Sequence, residues 1–156
     1  MALLALAALL LPTCRQAAAD ELRATACSAP DAPDGPRLRV SVLGARRVAG
    51  NVTVTIYGPR PELFLARRAY LARQRIPLRG PGVEACFALP APGDYAVAVY
   101  HDENDDHDFN RSLIGLPTEG YGFTNDAPTV IGLPSFGDAR LTVPPGETRT
   151  TIHLRY

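Results

Sequence analysis

At 156 residues the chain can hold one domain with a real core and is too short for two ordinary ones. Sixteen basic residues, every one of them Arg, balance 16 acidic ones, so the excess of positive charge expected of a nucleic-acid binder is missing. A composition with 46% hydrophobic and 21% charged residues belongs to a folded globular chain and excludes a wholly disordered one.

The chain opens MALLALAALLLPTCRQAAAD. An apolar run over residues 2–11, followed by Ala17, Ala18 and Ala19 ahead of Asp20, predicts a secretion signal over residues 1–19 cleaved after Ala19. The run falls short of the roughly 20 apolar residues needed to cross a bilayer, and no later segment reaches that length, so the mature chain is expected to lack a transmembrane helix. Leu11-Pro12-Thr13-Cys14 resembles a lipoprotein processing site, but Pro12 and Thr13 suit it poorly. The expected location is the periplasm or the exterior of a bacterium.

Cleavage would remove Cys14 and keep Cys27 and Cys86. An even pair in an exported protein reads as one disulfide. It would close a loop of roughly 60 residues and contribute about 4 kcal/mol on chain-entropy grounds. Two separate thiols are the alternative, since neither cysteine lies in a CxxC or a metal knuckle.

Residues 20–36 carry Pro, Asp and Gly without periodicity and read as a leader segment. From Arg37 onward period-two alternation sets in, giving a domain over residues 37–156. Leu38, Val40 and Val42 share one face of a strand; Val52, Val54 and Ile56 share one face of the next, with Thr53, Thr55 and Tyr57 pointing away. Val48-Ala49-Gly50-Asn51 supplies turn chemistry between them and suggests a hairpin. Residues 59–72 read as irregular, with a short helix after Pro61 or a loop that lays Phe64 and Leu65 over one end of the core.

Ile76 and Leu78 mark a short strand; Val83, Ala85, Phe87 and Leu89 mark another, with Cys86 on its opposite face. Pro92-Gly93 turns into DYAVAVY, where Tyr95, Val97 and Val99 form one face and Ala96, Ala98 and Tyr100 the other, as a central strand requires. Leu141 and Val143 precede the turn Pro144-Pro145-Gly146, and Thr150, Ile152 and Leu154 alternate to the end. The fold class is all-β: an antiparallel β-sandwich, immunoglobulin-like or transthyretin-like, of about seven strands, with one long acidic and Gly-rich loop over residues 102–137.

That loop begins HDENDDHDFN, in which Asp102, Asn104, Asp106, Asp108 and Asn110 alternate as in the D-x-[DN]-x-[DN] start of a calcium loop. Unneutralised neighbouring carboxylates repel by about 1–4 kcal/mol per pair at 4 Å, depending on solvent screening. A calcium ion is one way to relieve that; Asx turns with Arg111 and water are the other. The calcium pattern is incomplete, because His107 stands where it wants Gly and Leu113 where it wants a bidentate Glu; Glu119 could complete the shell. Zinc through His101 and His107 fits less well among hard oxygen ligands.

Farther on, Gly115, Gly120, Gly122, Gly132 and Gly137 are set among Tyr121, Phe123 and Phe136. Glu119, Tyr121, Phe123 and Asn125 are the residues expected to hold a ligand or order the loop. Arg67, Arg68, Arg73, Arg75 and Arg79 read either as an anion-binding patch or as a solvated face.

The segments YAVAVYHDEN, LIGLPTEGYGFTND and GLPSF, with a last strand ending in LRY, resemble the bacterial family of secreted domains known as domain of unknown function 2141. The resemblance covers residues 38–156. It implies a small exported β-sandwich and brings no established activity. Family members usually carry an HDENGNGKLD-like sequence here, so Asp105 and His107 replace customary residues, often glycine at the second, which weighs against a glycine-dependent metal turn.

Two functions compete. One is a non-catalytic exported module binding a small ligand or a partner protein through loop 102–137, with calcium as one candidate for ordering that loop. The other is a hydrolase using His101 or His107 with the adjacent carboxylates, although GxSxG, HExxH and a Cys/His nucleophile pair are all missing. Transthyretin-like hydrolases end in Tyr-Arg-Gly-Ser, whereas this chain ends His153-Leu154-Arg155-Tyr156. A structural envelope protein pairing through a sheet edge is a third.

Overall fold

The computed structural model of the protein describes residues 35–130 and 132–156; the proposed signal, most of the leader and Cys27 lie outside the described residues. Eight strands run in order: β1 (Arg37–Leu43), β2 (Asn51–Tyr57), β3 (Ala72–Pro77), β4 (Gly82–Ala88), β5 (Gly93–Asp102), β6 (Gly120–Phe123), β7 (Arg140–Val143) and β8 (Glu147–His153). One turn of helix, α1 (Phe136–Ala139), and two 3-10 turns, Pro61–Leu63 and Thr124–Asp126, complete the described elements. Among the described residues no helix is long and apolar enough to cross a membrane.

The alternation dictates two layers. Leu38, Val40 and Val42 of β1 and Val52, Val54 and Ile56 of β2 are each at most 1% exposed. Full burial of such a side chain is worth about 1.5–3 kcal/mol, so these strands bury one face whatever the connections prefer. The first layer has strand order β4-β1-β8; the second has order β3-β2-β5-β6, with β7 also paired to β5. The core between the layers joins Leu38, Val40, Val42, Ala85, Phe87 and Ile152 of the first to Val52, Val54, Ile56, Tyr95, Val97 and Val99 of the second.

Three expectations change. β1 and β2 do not form a hairpin: β1 is flanked by β4 and β8, and the connection over residues 44–50 carries the chain into the other layer. Gly50 lies so close to the end of β5 that a Cβ there would sit 1.9 Å from the Asp102 carbonyl oxygen. The sandwich is antiparallel except for β1 and β8, which pair in parallel from Arg37 opposite Glu147 to Leu43 opposite His153. Finally, the excursion over 102–137 contains a strand, β6, that the alternation rule does not reveal.

The reason is that β6, GYGF, turns glycines inward. A Cβ on Gly122 would lie 2.6 Å from Ile152 Cγ2 and 2.9 Å from the His153 carbonyl oxygen, and one on Gly120 would lie 2.5 Å from the Tyr156 ring. Close approach of β8 and the C-terminal Tyr156 thus replaces the apolar side chains that normally mark a strand's core face. The outward residues Tyr121 and Phe123 point to the opposite face of the second layer.

That outer face is not bare. Phe64 and Leu65 from the segment after β2, together with Phe136, Ala127 and Ala139, pack onto Ala96 and Phe123 as a second, smaller core. Phe64 meets Tyr57, Phe123 and Phe136 edge-on at ring separations of 5.3, 6.3 and 5.9 Å. Phe64 and Leu65 therefore cover the outer face of the second layer and not one end of the main core as expected.

Candidate functional site

Strand register arranges the outer face of the second layer into rows. Arg73 lies opposite Thr55, Thr55 opposite Ala98, and Ala98 opposite Phe123. The next row runs Arg75, Thr53, Tyr100, Tyr121. At the centre stand two short side chains, Thr55 and Ala98, while Tyr57, Tyr100, Tyr121 and Phe123 rise around them. The result is a cleft of about 540 Å³ with an aromatic and aliphatic lining. Its size and its small number of polar groups are those of a site for a small molecule.

Two pieces of the long excursion form its walls. The first leaves the acidic turn at Phe109, whose ring packs on Tyr100 and Tyr121 at 5.7 and 5.9 Å. It then makes a narrow hairpin in which Arg111 bridges to Pro117, Thr118 N–H donates to the Asn110 carbonyl (3.0 Å) and Ser112 N–H to the Leu116 carbonyl (2.8 Å). The second wall, formed by Thr129, Val130, Gly132 and Leu133, is pinned by a 3.1 Å hydrogen bond between the Tyr121 and Thr129 hydroxyls. Leu116, Val130 and Leu133 line the cleft yet remain 60%, 92% and 57% exposed. The mouth is therefore apolar.

The acidic turn underlies the first wall as a scaffold. Asp102 is fully buried, and its carboxylate accepts the N–H groups of Asp106 (3.2 Å) and His107 (3.0 Å). Asp106 accepts the Asn104 and Asn110 side-chain amides (2.8 and 2.9 Å) and Asp108 N–H (2.9 Å). The Asn110 amide, the Asp108 N–H and the Asn104 amide together hold the Asp106 carboxyl below its ordinary range. Asp108 accepts from Phe109 N–H at 3.2 Å. These are Asx-turn bonds, in which carboxylates face N–H donors. Among the described residues no group of three or more His, Cys, Asp or Glu is gathered so as to hold a metal ion.

Glu119 closes the base of the loop. It is 4% exposed, and its two oxygens accept Glu103 N–H and Asn110 N–H, each at 3.0 Å, joining the two ends of the turn. Glu103 in turn binds Arg46 at 2.6 Å and also Arg47. Burial alone would push its carboxyl up, but the two guanidinium groups outweigh that and hold it below its ordinary range. Arg111, which with water was one of two expected ways to neutralise the turn, instead lies 5.2 Å over the Phe109 ring, and it is Arg46 and Arg47 that pair with Glu103.

His101 is fully buried, with Nε2 2.8 Å from the Ala49 carbonyl and Nδ1 2.8 Å from the Tyr156 hydroxyl. A carbonyl only accepts, so Nε2 carries a proton and donates it to Ala49, while Nδ1 shares the second hydrogen bond with the Tyr156 hydroxyl. Arg46 N–H donates to the same hydroxyl at 3.1 Å. The histidine is a tie between loop, strand and terminus. His107 is exposed, 3.3 Å from Asp105, and His153 binds Asp126 at 2.7 Å. None of the three has a serine or cysteine hydrogen-bonded to it among the described residues.

Of the four expected ligand residues, Tyr121 and Phe123 line the cleft. Glu119 orders the loop from below. Asn125 ties its 3-10 turn to the Asp138 and Arg140 carbonyls at 3.2 and 2.9 Å, away from the cleft. Sequence reasoning missed Thr55, Tyr57, Ala98 and Tyr100, although their outward positions were legible. Tyr57 is buried enough that its phenol is pushed above the ordinary range, with the Arg73 charge pulling the other way, so it stays a neutral hydroxyl. From the arginine patch, Arg73 and Arg75 share the outer face of β3; they donate to Thr55 and Thr53 hydroxyls at 3.1 and 3.4 Å.

A family model of uncharacterised proteins conserved in bacteria matches residues 40–152. The chain belongs to the DUF2141 family. No curated protein and no solved structure matches it. The matched span of the DUF2141 domain takes in both layers, the acidic turn and every residue named at the cleft. Asp105 and His107 adopt left-handed φ values of 59° and 70°, the conformation glycine accepts without steric cost. Here the DUF2141 chain keeps the turn with side chains at both positions, and it does so because Asp102 grips the His107 N–H and Asn51 donates to Asp105.

Proposed function

We propose that this protein is a non-catalytic, exported binding module that holds a small, largely apolar molecule in the cleft on the outer face of its second sheet. The observation that carries the reading is the row of short side chains, Thr55 and Ala98, sunk among Tyr57, Tyr100, Tyr121 and Phe123. A sheet face meant only for water would carry polar residues there, and one meant only for packing would fill the gap. The N-terminal apolar run supports export, and Cys86 sits on the outward side of β4, opposite Arg39, where a bond to Cys27 would strap the leader over the first sheet. Non-reducing mass measurement of the mature chain, two hydrogen atoms lighter than the dithiol, tests that strap.

The cleft is tested with N-phenyl-1-naphthylamine, a neutral fluorophore that brightens in apolar surroundings. It binds the native protein with a saturable rise in emission, and Ala98→Phe, which fills the floor from outside the main core, removes the rise while leaving the melting temperature within a few degrees. Binding that survives Ala98→Phe overturns the reading. The acidic turn is read as self-supporting, because its carboxylates accept N–H donors. Calcium at millimolar excess then leaves the melting temperature unchanged; a rise of several degrees reversed by chelator restores the calcium-ordered loop.

A further inference from the structure

We propose that the ligand is an anionic single-chain amphiphile, a carboxylate-headed molecule whose alkyl body lies over Thr55 and Ala98 and whose head meets the arginines at the rim; this rests on the cleft being the binding site. Charge carries the inference. Among the described residues two cationic side chains, Arg73 and Arg111, line the cleft, and no Asp or Glu does. Among the described residues Arg39, Arg46, Arg47, Arg140 and Arg149 each have a carboxylate within 4 Å, whereas exposed arginines such as Arg60, Arg67, Arg68 and Arg79 have none; what sets Arg73 and Arg111 apart is that they face an otherwise uncharged cleft. Arg73 and Arg111 have none within that distance among the described residues, and neither has Arg75, the next outward residue on β3.

Both lining guanidiniums are nonetheless held in place. Arg73 lies 4.3 Å over the Tyr70 ring and donates to the Thr55 hydroxyl, while Arg111 rests on Phe109. Stacked on aromatic faces, they keep N–H groups available for a planar carboxylate, the partner a guanidinium matches with two parallel hydrogen bonds. The rest of the lining offers few polar atoms and an aliphatic mouth at Leu116, Val130 and Leu133. Such a mouth suits an alkyl chain better than a sugar or a peptide backbone, whose polar groups would go unpaired.

The test is calorimetric titration of the mature protein with dodecanoate, dodecanol and dodecyltrimethylammonium, three probes with one tail and three head charges. Dodecanoate is expected to bind at least tenfold tighter than dodecanol, and the cation more weakly than either. The double variant R73Q/R111Q should bring dodecanoate down to the affinity of dodecanol without changing dodecanol itself. Equal affinities for dodecanoate and dodecanol in the native protein, or a preference that survives in the double variant, overturn the anionic head and leave the cleft standing. If Ala98→Phe leaves binding of all three unchanged, or none binds, the cleft reading falls as well.

Discussion

His107 and Asp105 show how a single side chain can be held against its own backbone preference. A left-handed φ costs a residue with a Cβ roughly 1–2 kcal/mol relative to the right-handed region, while glycine gives up about 0.5–1 kcal/mol of extra chain entropy on folding. The Asp102 bond to the His107 N–H is available to glycine as well, and the His107 side chain itself adds only an exposed 3.3 Å contact to Asp105, so the side chain offsets none of the strain. His107→Gly is therefore expected to stabilise the protein by about 0.5–1 kcal/mol, read as a higher urea midpoint at unchanged slope. Asp105→Gly should gain less or nothing, because it also loses the acceptor of the Asn51 amide. Glu119 is the opposite case. Its removal in Glu119→Ala leaves the N–H groups of Glu103 and Asn110 without their acceptor at the base of the loop. That is expected to lower stability by about 1–3 kcal/mol in the same measurement. The residues of the turn were thus legible as a cluster in the sequence. Their partners were not, since an oxygen facing a backbone N–H and an oxygen facing a cation come from the same letters.

At the level of strands, what the sequence discloses depends on what fills the inward positions. β1, β2 and β5 alternate apolar residues against the core and are readable for that reason. β6 has the same geometry with glycine where the others have valine, so period-two hydrophobicity has nothing to detect. Gly122 gives the check. Its added Cβ would meet Ile152 Cγ2 and the His153 carbonyl oxygen, the latter fixed in β8, so Gly122→Ala should cost about 1–3 kcal/mol through overpacking. Gly80, with no atom within 4 Å of a built Cβ, serves as the control and should tolerate alanine within about 0.5 kcal/mol. The predicted β1–β2 hairpin failed for a different reason. Turn residues between two strands say that the chain bends, not which sheet receives the next strand. The cleft was hidden in the same way: it is assembled from outward positions of β2, β3, β5 and β6 that lie side by side only once the register is known.

For the whole molecule, carboxylates held by N–H groups and arginines set the acid limit of stability. Glu103 and Asp126 are the partly buried cases; in each, burial would push the carboxyl up, and hydrogen bonds and cationic neighbours overcome it. Both fall below their ordinary values of 4.5 and 3.8, so between the folded and unfolded values the unfolded chain binds more protons. Stability from these groups is then complete above the unfolded values and is lost as pH falls through the lower, folded ones. The Tyr57 and Tyr156 phenols work at the other end, where burial raises them and their contribution fades as pH climbs past the ordinary value of 10. The melting temperature is expected to be flat between about pH 6 and 9 and to drop steeply below about pH 4.5. Glu103→Gln carries the decisive comparison. It lowers the plateau, because Arg46 and Arg47 lose their shared carboxylate, and it shallows the acid limb, because one depressed group no longer titrates. An acid limb with the native slope in Glu103→Gln would mean that the Arg46–Glu103–Arg47 cluster contributes nothing to folding in water. The turn beneath the cleft would then be held by its Asp102 and Glu119 acceptors alone.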